Sequence, residues 1–317
     1  MRLIFMGTPE FAVPSLERLL LDGQEIAAVF TQPDKPAGRG KEIHEPPVKT
    51  LALHRGIPVH QPAKIKTNEE VRRVLETISP DACVVAAYGK ILPEWMLAIP
   101  RLGCINVHAS LLPKYRGAAP INWEIANGER ETGITIMQMD VGMDTGPILA
   151  QRAMPICDDE TAPELSARLA QLGAELLSVT LPRVERGEIK PTPQDDSEAT
   201  HAPMLRREDG LMDWRMRAGE IANRVRGFQP WPGTYTDFRG GRLILWRAHE
   251  VFEPVPPDDV EAGRILSIDE SGIMISCAGP SALRIEDVQV EGKRRMSARD
   301  FANGARLRPG DSLSNTT

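Results

Sequence analysis

Asn106 and His108 stand two residues apart at the end of an apolar run, in "LGCINVHASLLPKYRGAAPINW" (residues 102–123), immediately before a loop rich in proline and glycine. Residues two apart in an extended strand project to one face, so the amide and the imidazole would lie side by side. An amide NH₂ can donate to an oxygen that is gaining negative charge, and an imidazole can carry a proton near neutrality. Taken alone, an Asn or a His at a strand end reads more simply as a satisfied polar group. The neighbours decide.

"MDVGMDTGPI" (residues 139–148) supplies Asp140 and Asp144. A single "DTG" is half of an aspartic-protease pair, and that chemistry needs two such carboxylates sharing a proton. The calcium-loop pattern D-x-[DN]-x-[DN]-G is not met either. A turn is the plain alternative for Asp144, given the glycines on either side. Together, however, Asn106, His108 and Asp144 supply an oxyanion donor, a proton carrier and an orienting carboxylate, the parts that acyl transfer requires. Ser110 is two residues from His108, but G-x-S-x-G is absent, so the nucleophile is expected on the substrate. Gly7, in "FMGTPEFAVPSL", suits a tight turn into a helix that faces ligand. G-x-G-x-x-G is absent, which argues against a dinucleotide site, and "GRGKE" fails as a phosphate loop because Glu42 follows Lys41.

"CINVHASLLPKYRGAAPINW" followed by "ETGITIMQMDVGMDTGPIL" closely resembles the signature of the folate-dependent formyltransferases, in which Asn, His and Asp in this order form the catalytic group. Within that family, "FMGTPEFAVPSL", "TQPDKPAGRGK", "VVAAYGKILP" and "FQPWPGTYT" resemble the members that act on initiator methionyl-tRNA, along nearly the full chain. The resemblance implies transfer of the formyl group of 10-formyltetrahydrofolate to the α-amino group of methionine on initiator tRNA, without a metal. Asn106, His108 and Asp144 would be the catalytic residues. Ser110, Leu111, Leu112 and Pro113, with Tyr88, Gly89 and Ile91 of "VVAAYGKILP", would contact the folate. The Pro/Gly-rich insertion of residues 31–49 resembles the loop that meets the tRNA acceptor end, with Arg39 and Lys41 as its expected contacts. Its charge is diluted by Asp34, Glu42 and Glu45. An enzyme formylating an amino sugar or glycinamide ribotide is the alternative. A non-catalytic RNA-binding module would leave the trio without a purpose.

The elements that must position these residues are legible as patterns. "RLIFMG", "AVPSLERLLLDG" and "EIAAVFTQ" open the chain, and "PPVKTLALHRG" and "PVHQP" follow the insertion. This alternation reads as βαβ units and a parallel sheet. "DACVVAAYG" and "GCINVHAS" are near-continuous apolar runs, as central strands covered on both faces should be. Residues 160–187 read as a long closing helix, with Thr161 and Glu164 as a capping box and Gly187 after the last turn. Residues 190–205 carry prolines and acids without periodicity and read as a linker. Beyond it come a helix in "DWRMRAGEIANRVRGF" and short strands between turns, which suggest a small antiparallel barrel. The expected architecture is therefore α/β: a Rossmann-like, doubly wound parallel-sheet domain over 1–189, the linker, and an OB-like antiparallel β-barrel over 206–311 that binds tRNA.

Length and charge set the outer bounds. The chain has 317 residues, enough for two domains, with 41% hydrophobic and 26% charged residues and a net charge of −6. Residues 205–317 hold 17 Lys+Arg and 17 Asp+Glu, so the whole acid excess lies before them. "GKRRMSARDFANGARLRPG" (residues 292–310) concentrates positive charge; it is either a solvated face or a phosphate track, with Lys293, Arg294, Arg295 and Arg299 the expected tRNA contacts. The four cysteines lack C-x-x-C spacing, which argues against a zinc site and for free thiols. "MRLIFMG" is too short for a signal-peptide core, and no apolar run approaches the ~18 residues of a membrane span. A cytoplasmic monomer is expected.

Overall fold

A computed structural model describes residues 1–37, 42–252 and 261–313. They divide into two compact units. Met1–Pro120, Glu131–Pro155 and Leu165–Pro203 form the first; Ile121–Arg130, Ile156–Glu164 and the chain from Met204 onward form the second.

The first unit begins with β1 (Arg2–Gly7), α1 (Val13–Leu21) and β2 (Glu25–Phe30), then a short antiparallel pair, β3 (Lys35–Ala37) and β4 (Glu42–His44). There follow α2 (Pro47–His54), β5 (Val59–His60), α3 (Glu69–Ile78), β6 (Ala82–Ala86), α4 (Glu94–Ala98), β7 (Cys104–His108) and β8 (Arg116–Gly117). After α5 (Pro120–Ala126) come β9 (Glu131–Gln138), β10 (Ile148–Pro155), α6 (Ala162–Glu185) and β11 (His201–Ala202). The main sheet runs β10-β9-β7-β6-β1-β2-β5. Five of these strands are parallel, as the apolar runs predict; β9 and β10 turn the sheet antiparallel at one edge, so it is mixed rather than wholly parallel.

Every residue of β6 and β7 is buried, which explains their continuous apolar sequence. One sheet face packs Ile4, Met6, Cys83, Val85 and Cys104 against Val71, Leu75 and Met96 from the flanking helices. The opposite face meets α6. A Cβ on Gly173 would lie 2.8 Å from Val107 Cγ1, so this glycine lets the helix come down onto β7. With Val107 turned to α6, alternation sends Asn106 and His108 to the other face, beside each other at the carboxyl end of the strand. Gly7 serves close packing rather than an unusual turn: its Cβ would meet Ala12 Cβ at 2.8 Å.

The Glu164 half of the predicted capping box is seen at the start of α6, where Thr161 N and Oγ1 donate to Glu164 Oε2 at 2.9 and 2.7 Å. Gly187, at φ +69, follows the last turn. The segment without periodicity is not a free tether. Thr192 and Ile148 exchange backbone hydrogen bonds, and β11 pairs in parallel with β8, so the chain stays on the first unit to Pro203. Its polar and proline-rich composition reflects pairing with a short edge rather than burial, and edge pairing leaves no periodic signature.

The second unit holds α7 (Ala218–Gly227), β12 (Thr234–Phe238), β13 (Gly241–Val251), β14 (Ile265–Asp269), β15 (Gly272–Cys277), β16 (Ser281–Val290), β17 (Met296–Ser297) and α8 (Ala298–Ala305). The strands run β12-β13-β16-β15-β14, with β17 on β16, all antiparallel. The second unit is thus built on an antiparallel sheet, as the short strands between turns predict. Alternate residues Leu243, Leu245, Ile273, Ile275, Leu283 and Ile285 pack with Ile221 and Val225 of α7 and Phe301 of α8. Each fully buried aliphatic side chain contributes ~1.5–3 kcal/mol. The helix expected to include "DWRMR" starts only at Ala218. Asp213 Oδ1 instead accepts from Arg215 N at 2.9 Å, and Glu220 Oε2 caps Arg217 N at 2.8 Å.

Candidate active site

β7 delivers Asn106 and His108, and the connection between β9 and β10 brings Asp144 onto them. Asn106 and His108 are only 8% and 5% exposed. Asn106 Nδ2 donates to Asp144 Oδ1 at 3.4 Å. Asp144 Oδ2 accepts from Gly117 N at 3.0 Å and lies 3.7 Å from His108 Nδ1. The carboxylate therefore faces both other members of the trio. Asp144 sits in left-handed backbone, φ +55, which an aspartate tolerates better than most residues.

The tautomer of His108 follows from its second contact. Nε2 lies 3.1 Å from the carbonyl oxygen of Tyr115. A carbonyl only accepts, so Nε2 carries the hydrogen. In the neutral ring Nδ1, on the Asp144 side, is then the nitrogen free to take a proton. An Asn amide has two hydrogens; the one that Asn106 does not give to Asp144 is available to an oxygen in the site.

Ser110 is fully buried and its Oγ donates to Lys114 O at 2.7 Å, so it shapes the loop rather than standing ready as a nucleophile. Leu112 is buried, Leu111 and Pro113 are half-buried, and the Leu112–Pro113 peptide is cis. β9 and β10 brace this strip. Thr135 Oγ1 donates to Ser110 O at 2.7 Å and accepts from Leu112 N at 3.1 Å. Gln151 Nε2 donates to Leu112 O at 2.8 Å and Thr135 Oγ1 at 3.0 Å.

At the end of β6, Tyr88 turns its ring into the core, where burial pushes its phenol well up from the ordinary value. Its carbonyl accepts from Thr8 Oγ1 and from Gln32 Nε2, each at 3.1 Å, and Gln32 Nε2 also reaches Gly89 O at 3.0 Å. Gly89 adopts φ +74 in this turn, while Ile91 stands 81% exposed beyond it. Tyr88 and Gly89 therefore present backbone, and Ile91 presents an apolar side chain.

Arg39 and Lys41 lie outside the described residues. The base of their loop is tied down, since Lys49 Nζ contacts Asp34 Oδ2 at 2.6 Å and Glu45 Oε1 at 2.8 Å, and Gln61 Nε2 donates to Asp34 Oδ1 at 2.6 Å. In the second unit Lys293, Arg294, Arg295 and Arg299 are all exposed. Arg295 bonds Asp287 at 2.7 Å with its guanidinium over Trp246, and Arg299 meets Glu270 at 3.3 Å. Among the described residues Lys293 and Arg294 show no such ion pair.

Sequence patterns did not point to Arg116, Thr135, Gln151, Gln194 or Thr200, which pack around the trio and its flanking strip. Arg116 and Thr135 lie inside the two quoted motifs but had no role assigned there, whereas Gln151, Gln194 and Thr200 lie outside both and reach the site only through pairing of distant segments. No group of three or more His, Cys, Asp or Glu residues among the described residues could hold a metal ion, and no described helix is long and apolar enough to cross a membrane.

Two family models match the chain: formyl transferase over residues 1–181 and formyl transferase, C-terminal domain, over residues 204–306. The methionyl-tRNA formyltransferase of Geobacter metallireducens is 51% identical over 308 residues, covering 97% of each chain. Among solved structures, the N-formyltransferase of Helicobacter canadensis in complex with folinic acid and dTDP-3-aminofucose is similar with TM-score 0.64 and 21% identity, over 89% of this chain and 98% of that one. HypX of Aquifex aeolicus in complex with tetrahydrofolic acid is similar with TM-score 0.60 and 17% identity, over 95% of this chain and 47% of that one. The two structures share the fold and hold folates. Identity of one residue in two across nearly the whole of both chains is the decisive similarity, and by it the chain belongs to the methionyl-tRNA formyltransferase family.

Proposed function

We propose that the chain transfers the formyl group of 10-formyltetrahydrofolate to the α-amino group of methionine on initiator methionyl-tRNA, giving N-formylmethionyl-tRNA for translation initiation. The observation that carries the chemistry is the convergence of Asn106, His108 and Asp144 from two distant segments at the carboxyl end of a central strand, where open α/β sheets bind ligands.

The exposed apolar side chain of Ile91 and the half-buried Leu111 and Pro113 flank that strand end and suit the flat apolar part of a folate. The donor supplies the formyl carbon. As the amine attacks, the formyl oxygen gains charge, and the free amide hydrogen of Asn106 is placed to bind it; one such donor is worth ~2.7–4 kcal/mol of barrier. His108 takes the amine proton at Nδ1, because Nε2 is committed to Tyr115 O, and gives it to N10 of the folate as the bond from the formyl carbon to N10 breaks, so that tetrahydrofolate leaves. Asp144 keeps both groups in register and offsets the charge that appears on the imidazole.

The test is incubation of the purified protein with 10-formyltetrahydrofolate and methionyl-tRNA, initiator or elongator, with dTDP-amino sugar as a third acceptor. Formylation of the charged initiator tRNA, with the elongator form much poorer, is the expected result. Transfer to the amino sugar with none to either tRNA overturns the reading.

A further inference from the structure

We propose that Gln194 is a positioning residue for the formyl transfer: its side-chain amide holds the backbone on which Asp144 is mounted. The proposal rests on the function given above and names a residue that acts through another.

Asp144 has little to fix it locally. It stands at φ +55 between Gly142 and Gly146, on a loop whose own bonds run from Gly142 N and Thr145 Oγ1 to Asp140 Oδ1, at 3.0 and 2.7 Å. The hold comes from outside. Gln194 Nε2 donates to the carbonyl of Asp144 at 2.8 Å and to that of Gly146 at 2.7 Å, which uses both amide hydrogens. Its Oε1 accepts from Arg116 Nε at 3.0 Å and Nη2 at 2.8 Å. A guanidinium only donates and a carbonyl only accepts, so chemistry fixes which end of the amide faces which partner. Arg116 is buried and is completed by Asp196 at 2.8 Å.

The residue after Arg116 closes the circuit, since Gly117 N donates to Asp144 Oδ2. Asp144 is thus held by its main chain through Gln194 and by its side chain through Gly117. The same segment also seats the other contact of His108. Thr200 Oγ1 accepts from Tyr115 N, and Thr200 O accepts from Arg116 N, each at 2.9 Å, while Tyr115 O faces His108 Nε2. Loss of the Gln194 amide releases two carbonyls of a glycine-flanked loop and lets the carboxylate drift from Asn106 and His108, although neither has changed.

Gln194→Met removes the donors and the acceptor at nearly constant size. Gln194→Glu keeps an acceptor for Arg116 but sets a carboxylate against two carbonyl oxygens, and it decides the matter if the Met variant does not fold. Both are compared with wild type in steady-state and single-turnover formylation of charged initiator tRNA, with folded fraction fixed by folate-binding stoichiometry. The expected result is a kcat lower by roughly ten- to a hundredfold, as misplacement of a catalytic group by about an ångström produces, with KM for both substrates within about twofold. In an Asp144→Asn background, Gln194→Met should add little further loss, since the two act as one unit. A folded variant with wild-type kcat overturns the proposal, as does a full additive loss in the double variant, the mark of a merely structural role. Failure of the wild type itself to formylate charged initiator tRNA would instead defeat the functional reading.

Discussion

Asp144 divides its carboxylate between the two other members of the trio: one oxygen toward the Asn106 amide, the other toward His108 and the Gly117 N–H. The sequence reading made it an orienting carboxylate without saying how its two oxygens are used. Sharing means that replacing it disturbs an oxyanion donor and a proton carrier at once. His108→Ala and Asn106→Ala are each expected to lower kcat by ~10²–10³ while folate binding survives, the usual worth of one preorganised donor. Asp144→Asn keeps size and one acceptor but removes the charge opposite Nδ1, and kcat should fall comparably with little change in KM. Single-turnover formylation measures all three. Turnover near wild type in Asp144→Asn would reduce that residue to a turn former.

At the scale of elements, the strip Ser110–Pro113 keeps its course because β9 and β10 satisfy its backbone through Thr135 and Gln151. Thr135→Val keeps the shape and leaves the buried Leu112 N–H without a partner, a cost of ~1–3 kcal/mol in a urea melt. Because the strip flanks the site, KM for the folate donor should rise more than kcat falls; a kcat effect with unchanged folate affinity would separate the strip from the donor site. The basic stretch near the end of the chain divides in a similar way. Arg295 and Arg299 are engaged with Asp287 and Glu270, whereas Lys293 and Arg294 show no ion pair among the described residues. Phosphate contacts release counterions with a slope of about −0.9 each on duplexes, so Lys293→Gln with Arg294→Gln should flatten the salt dependence of tRNA binding more than Arg295→Gln with Arg299→Gln. Filter binding at several salt concentrations distinguishes the pairs. Equal wild-type slopes in both would make residues 292–310 a solvated face.

For the whole molecule, charge is arranged so that acid predominates before residue 205 and balances base after it, consistent with an acidic protein that localises its contacts to a polyanion. The same distribution governs its response to pH. Hydrogen bonds from Lys49 and Gln61 lower Asp34; the Arg2 N–H and Arg101 lower Asp81; Arg215 lowers Asp213; and Arg284 lowers Asp269, all below the ordinary 3.8. A carboxylate lowered in the folded state binds its proton more tightly when unfolded. Its stabilisation is fully present above 3.8 and is lost as pH falls through the lowered folded-state values. Unfolding midpoints should therefore be nearly flat from neutrality to about pH 5 and fall steeply below about pH 4. A midpoint unchanged down to about pH 3 would show that these pairs do not stabilise the fold.

Periodicity and local chemistry were enough to read the central strands β6 and β7, the α6 helix with its Thr161–Glu164 cap, and the placement of Asn106 beside His108, because each depends on residues within a few positions of one another. Complementary chemistry, and then the resemblance of the motifs to a known family, added Asp144 to them. Tertiary structure alone decided the rest. Antiparallel pairing of β9 with β7, docking of His201–Ala202 on β8, and the hold of Gln194 on Asp144 join segments from about thirty to more than eighty residues apart, through backbone pairing and single amides that leave no repeating pattern in sequence. Which nitrogen of His108 is free was likewise undecided until Tyr115 placed a carbonyl, which can only accept, against the other.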